Sequence, residues 1–341
     1  MKAVSILAPR MMEVVEIPEP KPAHNEVLLR VGRVGFCGSD LSTFRGANPL
    51  VSYPRIPGHE IQASVVALGE QVESDIKTGQ VVTVLPYSNC GECPACSRGR
   101  VNACRFNQTL GVQRDGSLCE YITVPAEKLV VADKLGKGAL ALVEPLAVGV
   151  HAVERGRVEA NETVLVVGCG MIGLSVIAAA YERGARVIGV DIDDAKLEIA
   201  RLAGALFTIN TASESLDARI SELTAGDGPD VAFEAVGHPQ TFATCIEHVR
   251  YGGRVVYIGY AREPVPIATK WYMLKELDVF GSRNATRADF ERAIRILASG
   301  NYPVEQTITK TVPLEGAIDA MQQWDRNPST VTKIHVNLHG D

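Results

Sequence analysis

The sequence predicts a two-domain α/β protein in which a β-rich, irregular N-terminal domain is followed by a doubly wound parallel sheet. Three observations carry this. A chain of 341 residues has the length of two ordinary domains. Its texture changes near residue 150, from short β-like runs broken by Gly and Pro to strands alternating with helical patterns. The stretch VLVVGCGMIGL then sets a glycine-rich turn between an expected strand and an expected helix.

In the first part, Val27–Val31, Ile61–Leu68 and Val81–Leu85 read as strands. Turn signals at Tyr53-Pro54, Ile56-Pro57-Gly58 and Lys77-Thr78-Gly79 separate them. In the second part, Val164–Val167 leads through the glycine turn into a helix over Met171–Arg183, and Arg186–Asp191 into a helix over Asp194–Leu202. Leu206–Asn210, Val231–Ala235, Val255–Gly259 and Leu277–Phe280 read as further buried strands, with a helical pattern over Gln240–Val249 between them. Alternating strands and helices specify βαβ units, and six strands complete a doubly wound dinucleotide fold. From Asp289 onward, helices over Phe290–Ser299 and about Ala317–Trp324 precede a final strand, Lys333–Asn337, expected to return to the first domain.

Gly168, Gly170 and Gly173 have the G-x-G-x-x-G spacing. Such glycines permit a tight turn, close backbone approach to a pyrophosphate and close helix packing, and the helix start offers free N–H groups to phosphate. Met171 and Ile172 lie within that helix start. Asp191 closes the next strand. A carboxylate there accepts both hydrogen bonds of an adenosine ribose and repels a 2′-phosphate. Ile192, Asp193 and Asp194 supply no arginine to hold one, so NAD is favoured over NADP. Lys196 either lies along the adenosine or is a solvated helix lysine. Val236, Ile258 and Ser282, at or just beyond the ends of later strands, complete the candidate cofactor contacts.

The stretch NCGECPACSRGRVNAC places Cys90, Cys93, Cys96 and Cys104 in C-x2-C-x2-C-x7-C spacing. Four thiolates fill a tetrahedral zinc with no position left open, the mark of a structural site. An iron–sulfur cluster of the three-close-cysteine type is ordinarily followed by Cys-Pro, whereas Cys104 precedes Arg105. Disulfides need an oxidising compartment, for which the sequence carries no signal. A second group is dispersed: Cys37 in GFCGSD, His59 and Glu60 in PGHE, and Glu144 in VEPL. A thiolate, an imidazole and a carboxylate make a three-ligand zinc set with a fourth position open to substrate. Taken singly, each has an ordinary reading as core cysteine, hydrogen-bonded histidine or loop carboxylate, and spacing alone leaves these open.

Composition excludes other classes. With 34 Lys and Arg against 40 Asp and Glu, the chain is acidic and a poor match for nucleic acid. No stretch approaches a membrane span, and the N-terminus lacks the pattern of a secretory signal, so a cytoplasmic setting is expected.

Together these residues carry a resemblance. GFCGSD, GHE, the four-cysteine lobe, VEPLAVGVHA and the nucleotide fingerprint follow one another as in the zinc-dependent medium-chain dehydrogenases, the group of alcohol, sorbitol and threonine dehydrogenases. The resemblance implies a GroES-like catalytic domain over residues 1–148 with a structural zinc lobe at about 86–108, a Rossmann NAD-binding domain over 149–282, and a segment 283–341 that returns to the catalytic domain. It implies two zinc ions per chain, with Cys37 and His59 on the catalytic one, Glu144 as third ligand in the sorbitol-dehydrogenase manner, and Glu60 near or alternating. Ser39 is then expected to bond the substrate oxygen and share in proton removal, and Asp40 to orient His59. Many members carry a His five residues after the zinc cysteine where this chain has Ser42, which leaves the proton route open. KELDVFGSRNATRADF resembles the bacterial branch that oxidises sugar acids and polyols, such as L-galactonate 5-dehydrogenase, with Arg283 placed either toward a substrate carboxylate or on a domain edge. The expected partners are a small polyhydroxy substrate and further copies of the chain in a dimer or tetramer, with neither nucleic acid nor membrane. Rival expectations are a threonine 3-dehydrogenase or general alcohol dehydrogenase, an NAD-binding sensor, and a zinc-ribbon nucleic-acid binder. His151 reads as structural.

Overall fold

An eleven-residue strand, Glu26–Phe36, organises the first of two units into which the chain divides. The computed structural model describes residues 1–72 and 75–339. This unit comprises Met1–Glu144, Thr286–Ala298 and the stretch from Val304 onward. The strand is flanked on one side by Glu60–Leu68. On the other side, Tyr121–Pro125 pairs with its first half and Lys333–Asn337 with its second. Ile308–Pro313 extends the sheet beyond Lys333–Asn337, and Val81–Val84 and Leu129–Val131 extend it beyond Glu60–Leu68. Lys2–Ala8 and Met11–Glu16 form a separate antiparallel pair.

The sequence shows only Val27–Val31 of the central strand because its alternation breaks in the middle. A register shift between Val31 and Arg33 moves the inward positions from Val27, Leu29 and Val31 to Val34 and Phe36. Those side chains share one core with Ile61, Ala63, Val65, Ile334 and Val336. The opposite face of the same strands therefore carries Gly35, Glu60, Gln62, Lys333 and His335. The four of these with polar side chains are buried, which is unusual for such groups.

The second unit, Pro145–Ala285 with Ser299–Pro303, is built on a six-stranded parallel sheet. Its spatial order is Phe207–Asn210, Arg186–Asp191, Thr163–Val167, Val231–Glu234, Arg254–Tyr257, Asp278–Gly281. This is the doubly wound order 3-2-1-4-5-6 expected from the sequence. Val164–Val167 and Val231–Phe233 are buried on both faces, as parallel strands covered by helices must be. Between the first two strands runs the helix Met171–Glu182, and Asp194–Leu202 follows the second. Among the described residues no helix is long and apolar enough to cross a membrane.

Candidate metal centres and dinucleotide cradle

The four-cysteine lobe is shaped by two short 3-10 turns, Cys96–Arg98 and Val101–Ala103, with Gly99 in the left-handed region at φ 74°. Cys93 Sγ lies 3.9 Å from Cys104 Sγ, which lies 3.7 Å from Cys90 Sγ. Four sulfurs at about 2.3 Å from a tetrahedral zinc stand about 3.8 Å apart, so these separations fit the ion and are far too long for disulfide bonds. Backbone N–H groups of Cys90, Cys93 and Phe106 donate to these sulfurs, an arrangement that favours thiolates. Such backbone bonds pull Cys93 down to about 6, while burial and the neighbouring Cys93 push Cys96 up to about 12. None of the eight cysteines is in a disulfide.

The second cluster gathers in the same unit. Cys37 precedes the short helix Gly38–Phe44, and its N–H donates to Asp40 Oδ2 at 2.9 Å. His59 and Glu60 stand at the start of Glu60–Leu68, so that ligand atoms of Cys37, His59 and Glu60 all lie within 4.8 Å of one another. Glu144 enters from the first turn of the helix Val143–Arg155. It is buried and accepts a hydrogen bond from the Tyr87 hydroxyl at Oε1. Burial by itself lowers the His59 pKa, but the negative charge of Cys37, Asp40 and Glu144 outweighs it and pushes the imidazole well above its ordinary value. His59 Nδ1, Asp40 Oδ1 and Ser39 Oγ are buried with no hydrogen-bond partner. A pocket with this excess of acidic groups and these orphaned atoms fits a bound cation of the zinc type.

Two expected roles take a different form. Asp40 stands 4.0 Å from His59 Nδ1, beyond hydrogen-bond reach, because its other oxygen closes the helix start at Cys37. Glu60 is held by Lys333, whose Nζ lies 2.5 and 2.6 Å from its two carboxylate oxygens and 2.9 Å from the Phe36 carbonyl. Gly35 makes this possible, since a Cβ there would stand 2.0 Å from Glu60 Oε2. Burial raises the Glu60 carboxyl to about 7; Lys333 pulls against it, Glu144 adds to it, and His59 pulls down. Burial acts to lower Lys333, and the negative charge of Glu60 and Cys37 overcomes it, so the ammonium stays charged. Burial first, then the charge of Glu144, places Tyr87 well above the ordinary tyrosine range, so its hydroxyl remains a donor. Tyr87 and Lys333 escape sequence reading. Tyr87 carries no local signal; Lys333, which opens the final strand KIHVN, alternates with the apolar Ile334 and Val336, and only its burial marks it out.

The glycine turn lies at the carboxyl end of Thr163–Val167, in the second unit. Gly168 has φ 96°, and a Cβ at Gly173 would stand 1.7 Å from the Gly168 carbonyl, so neither position admits a side chain. Around Gly170, by contrast, a Cβ would meet nothing within 4 Å. The helix start at Met171 and Ile172 has no side-chain cap, which leaves its first N–H groups free of a side-chain partner beside this open space. Asp191 accepts from the N–H groups of Cys169, Ile192 and Asp193 at 2.8, 2.8 and 3.2 Å, tying its strand end to the turn. Val236, Ile258 and Ser282 follow the ends of three further strands, and Lys196 sits in the first turn of its helix, near the Cys169 thiol. All the expected cofactor residues thus fall at the carboxyl edge of the sheet, where open α/β sheets bind ligands. The turn at Val236 and Gly237 is held from below by Glu234, fully buried, whose Oε1 accepts both their N–H groups.

The chain is similar to known proteins in sequence and fold. Residues 23–134 match the alcohol dehydrogenase GroES-like domain family and residues 172–299 the zinc-binding dehydrogenase family. The chain is 36% identical over 294 residues to the L-galactonate-5-dehydrogenase of Escherichia coli (strain K12), which covers 86% of each chain. It is 33% identical over 330 residues to the sorbitol dehydrogenase of Bacillus subtilis (strain 168), covering 95% of this chain and 93% of that one. The crystal structure described as a short chain alcohol dehydrogenase (rspB) from E. coli CFT073, complexed with cofactor NADH, matches with a TM-score of 0.92 at 30% identity, covering 99% of both chains.

Proposed function

The chain belongs to the zinc-binding, medium-chain alcohol dehydrogenase family, and from that premise we propose that it transfers a hydride from a secondary hydroxyl of a polyhydroxy substrate, a sugar acid or polyol, to NAD. The observation that carries this reading is the contrast between two centres. Cys90, Cys93, Cys96 and Cys104 form a closed set of four sulfurs, whereas Cys37, His59 and Glu60 bring only three ligand atoms together, beside an unpartnered Ser39 hydroxyl. Cys37, His59 and Glu144 would hold the catalytic zinc, with Glu60 in reserve on Lys333. A zinc ion held there supplies a Lewis acid that lowers the pKa of a hydroxyl. Ser39, with no internal bond to break, bonds the substrate oxygen and relays its proton, giving up its own hydroxyl proton to water as it accepts the substrate's, with Ser42 on the same helix along the way to solvent.

The open space before Gly170 receives the cofactor pyrophosphate on the helix N–H groups. Asp191 takes the adenosine ribose, Lys196 lies beside the adenosine, and Val236, Ile258 and Ser282 border the nicotinamide end. NAD supplies the hydride acceptor, and the protein's part is to place it. Relatives named for L-galactonate and sorbitol support a polyhydroxy substrate. Catalysis is assigned to residues 1–148 and 283–341 and cofactor binding to 149–282, in a cytoplasmic homodimer or homotetramer. NAD reduction across sugar acids, polyols, amino alcohols and simple alcohols tests the reading. Turnover of sugar acids or polyols is expected; turnover confined to amino alcohols or simple alcohols would refute the substrate class.

A further inference from the structure

We propose that Tyr87 is a positioning residue of the open metal centre: its hydroxyl holds Glu144 by one carboxylate oxygen, leaving the other to face the metal. The inference rests on the reading that Cys37, His59 and Glu144 are the ligands. Tyr87 and Glu144 are both buried, at 7% and 5% exposure, and the hydroxyl donates to Oε1. Among the described residues nothing else bonds a carboxylate oxygen of Glu144. A glutamate reaching from a helix start has three rotatable bonds, and a ligand so free loses entropy whenever it binds metal. A fixed donor on one oxygen removes much of that freedom and selects which oxygen remains.

Tyr87 is itself fixed by the neck of the four-cysteine lobe. Its backbone bridges to Thr109, and the bonds on either side run from Leu110 N–H to Pro86 O at 3.0 Å and from Ser88 N–H to Gln108 O at 3.1 Å. The two strands of this neck are the chain entering and leaving the loop closed by Cys90 and Cys104. The closed centre therefore reaches the open one through a short path: lobe, neck, Tyr87, Glu144.

The test uses the full chain with zinc in both centres and follows release to a chromogenic chelator. Two phases are expected in the unmodified protein, a faster one from the open centre and a slower one from the four cysteines. Tyr87→Phe should accelerate the faster phase by roughly 10- to 100-fold, the usual effect of removing a bond to a ligand. It should leave the slower phase unchanged, which also reports that the lobe stays folded. In a Glu144→Gln background the same substitution should add little, because the hydroxyl acts through that carboxylate. An unchanged fast phase in Tyr87→Phe overturns the proposal, as does an equal acceleration in the Glu144→Gln background. An unmodified chain that binds zinc only at the four cysteines overturns the ligand assignment and the proposal with it, a result distinguishable from the first two by the absent fast phase.

Discussion

Lys333→Met isolates the buried ion pair behind the open centre. Glu60 is fully buried and Lys333 is 2% exposed, so the substitution leaves a carboxylate with no counter-ion and no water, and the Phe36 carbonyl with no donor. Removing one member of such a pair costs about 3–5 kcal/mol. The damage is expected to depend on pH. The Glu60 pKa is already raised to about 7 and rises further without the lysine. An acid whose folded pKa lies above its unfolded value loses stability as pH rises from the unfolded value to the folded one. In the unmodified chain that loss stops near pH 7, whereas in Lys333→Met it continues, adding on the order of 1 kcal/mol of extra destabilisation between pH 6 and pH 8. Denaturant unfolding at both pH values measures this. Lys333→Met/Glu60→Gln should regain most of the loss, because no charge is then stranded. A loss below about 1 kcal/mol, or a double variant no more stable than the single one, would refute the reasoning.

Two further outcomes are expected. Cys93→Ala should lose the zinc of the four-cysteine lobe and lower thermal stability while NADH binding persists; metal analysis that still finds both zinc ions would contradict a four-sulfur site. Burial, with Lys333 and Arg33 adding to it, pushes His335 down to about 3, so between that value and about 6.5 the unfolded chain binds a proton that the folded chain refuses. Acidification from pH 7 to 5 should therefore cost about 2 kcal/mol through this residue. His335→Leu should flatten that part of the pH profile of unfolding midpoints, and an unchanged profile would count against the account.

What the sequence makes legible follows from how local each signal is. The glycine turn, Asp191 and the six strands of the parallel sheet are each set by neighbours within a few residues, and Arg186–Asp191, Asp194–Leu202 and Lys333–Asn337 begin and end where their patterns place them. The last strand, Asp278–Gly281, is mostly exposed rather than buried as its apolar run predicts, because it lies at the sheet's edge. The four cysteines are equally local. The central strand is half hidden because the register shift at Val31–Arg33 breaks the alternation that reveals strands. Glu60 shows the other kind of gap. Its neighbour His59 points to a metal, but its partner Lys333 stands 273 residues away, and the space that joins them is a missing side chain at Gly35. Tyr87 and Glu144, 57 residues apart, meet only through the pairing of the lobe's neck.

The most direct test of the central claim, that hydride transfer depends on the open centre at Cys37 and His59, is the NAD-linked turnover of Cys37→Ala with its zinc content measured on the same sample. The account predicts one zinc per chain, held by the four cysteines, intact NADH binding, and turnover reduced to background. Turnover retained in a Cys37→Ala protein shown to lack the second zinc would contradict it.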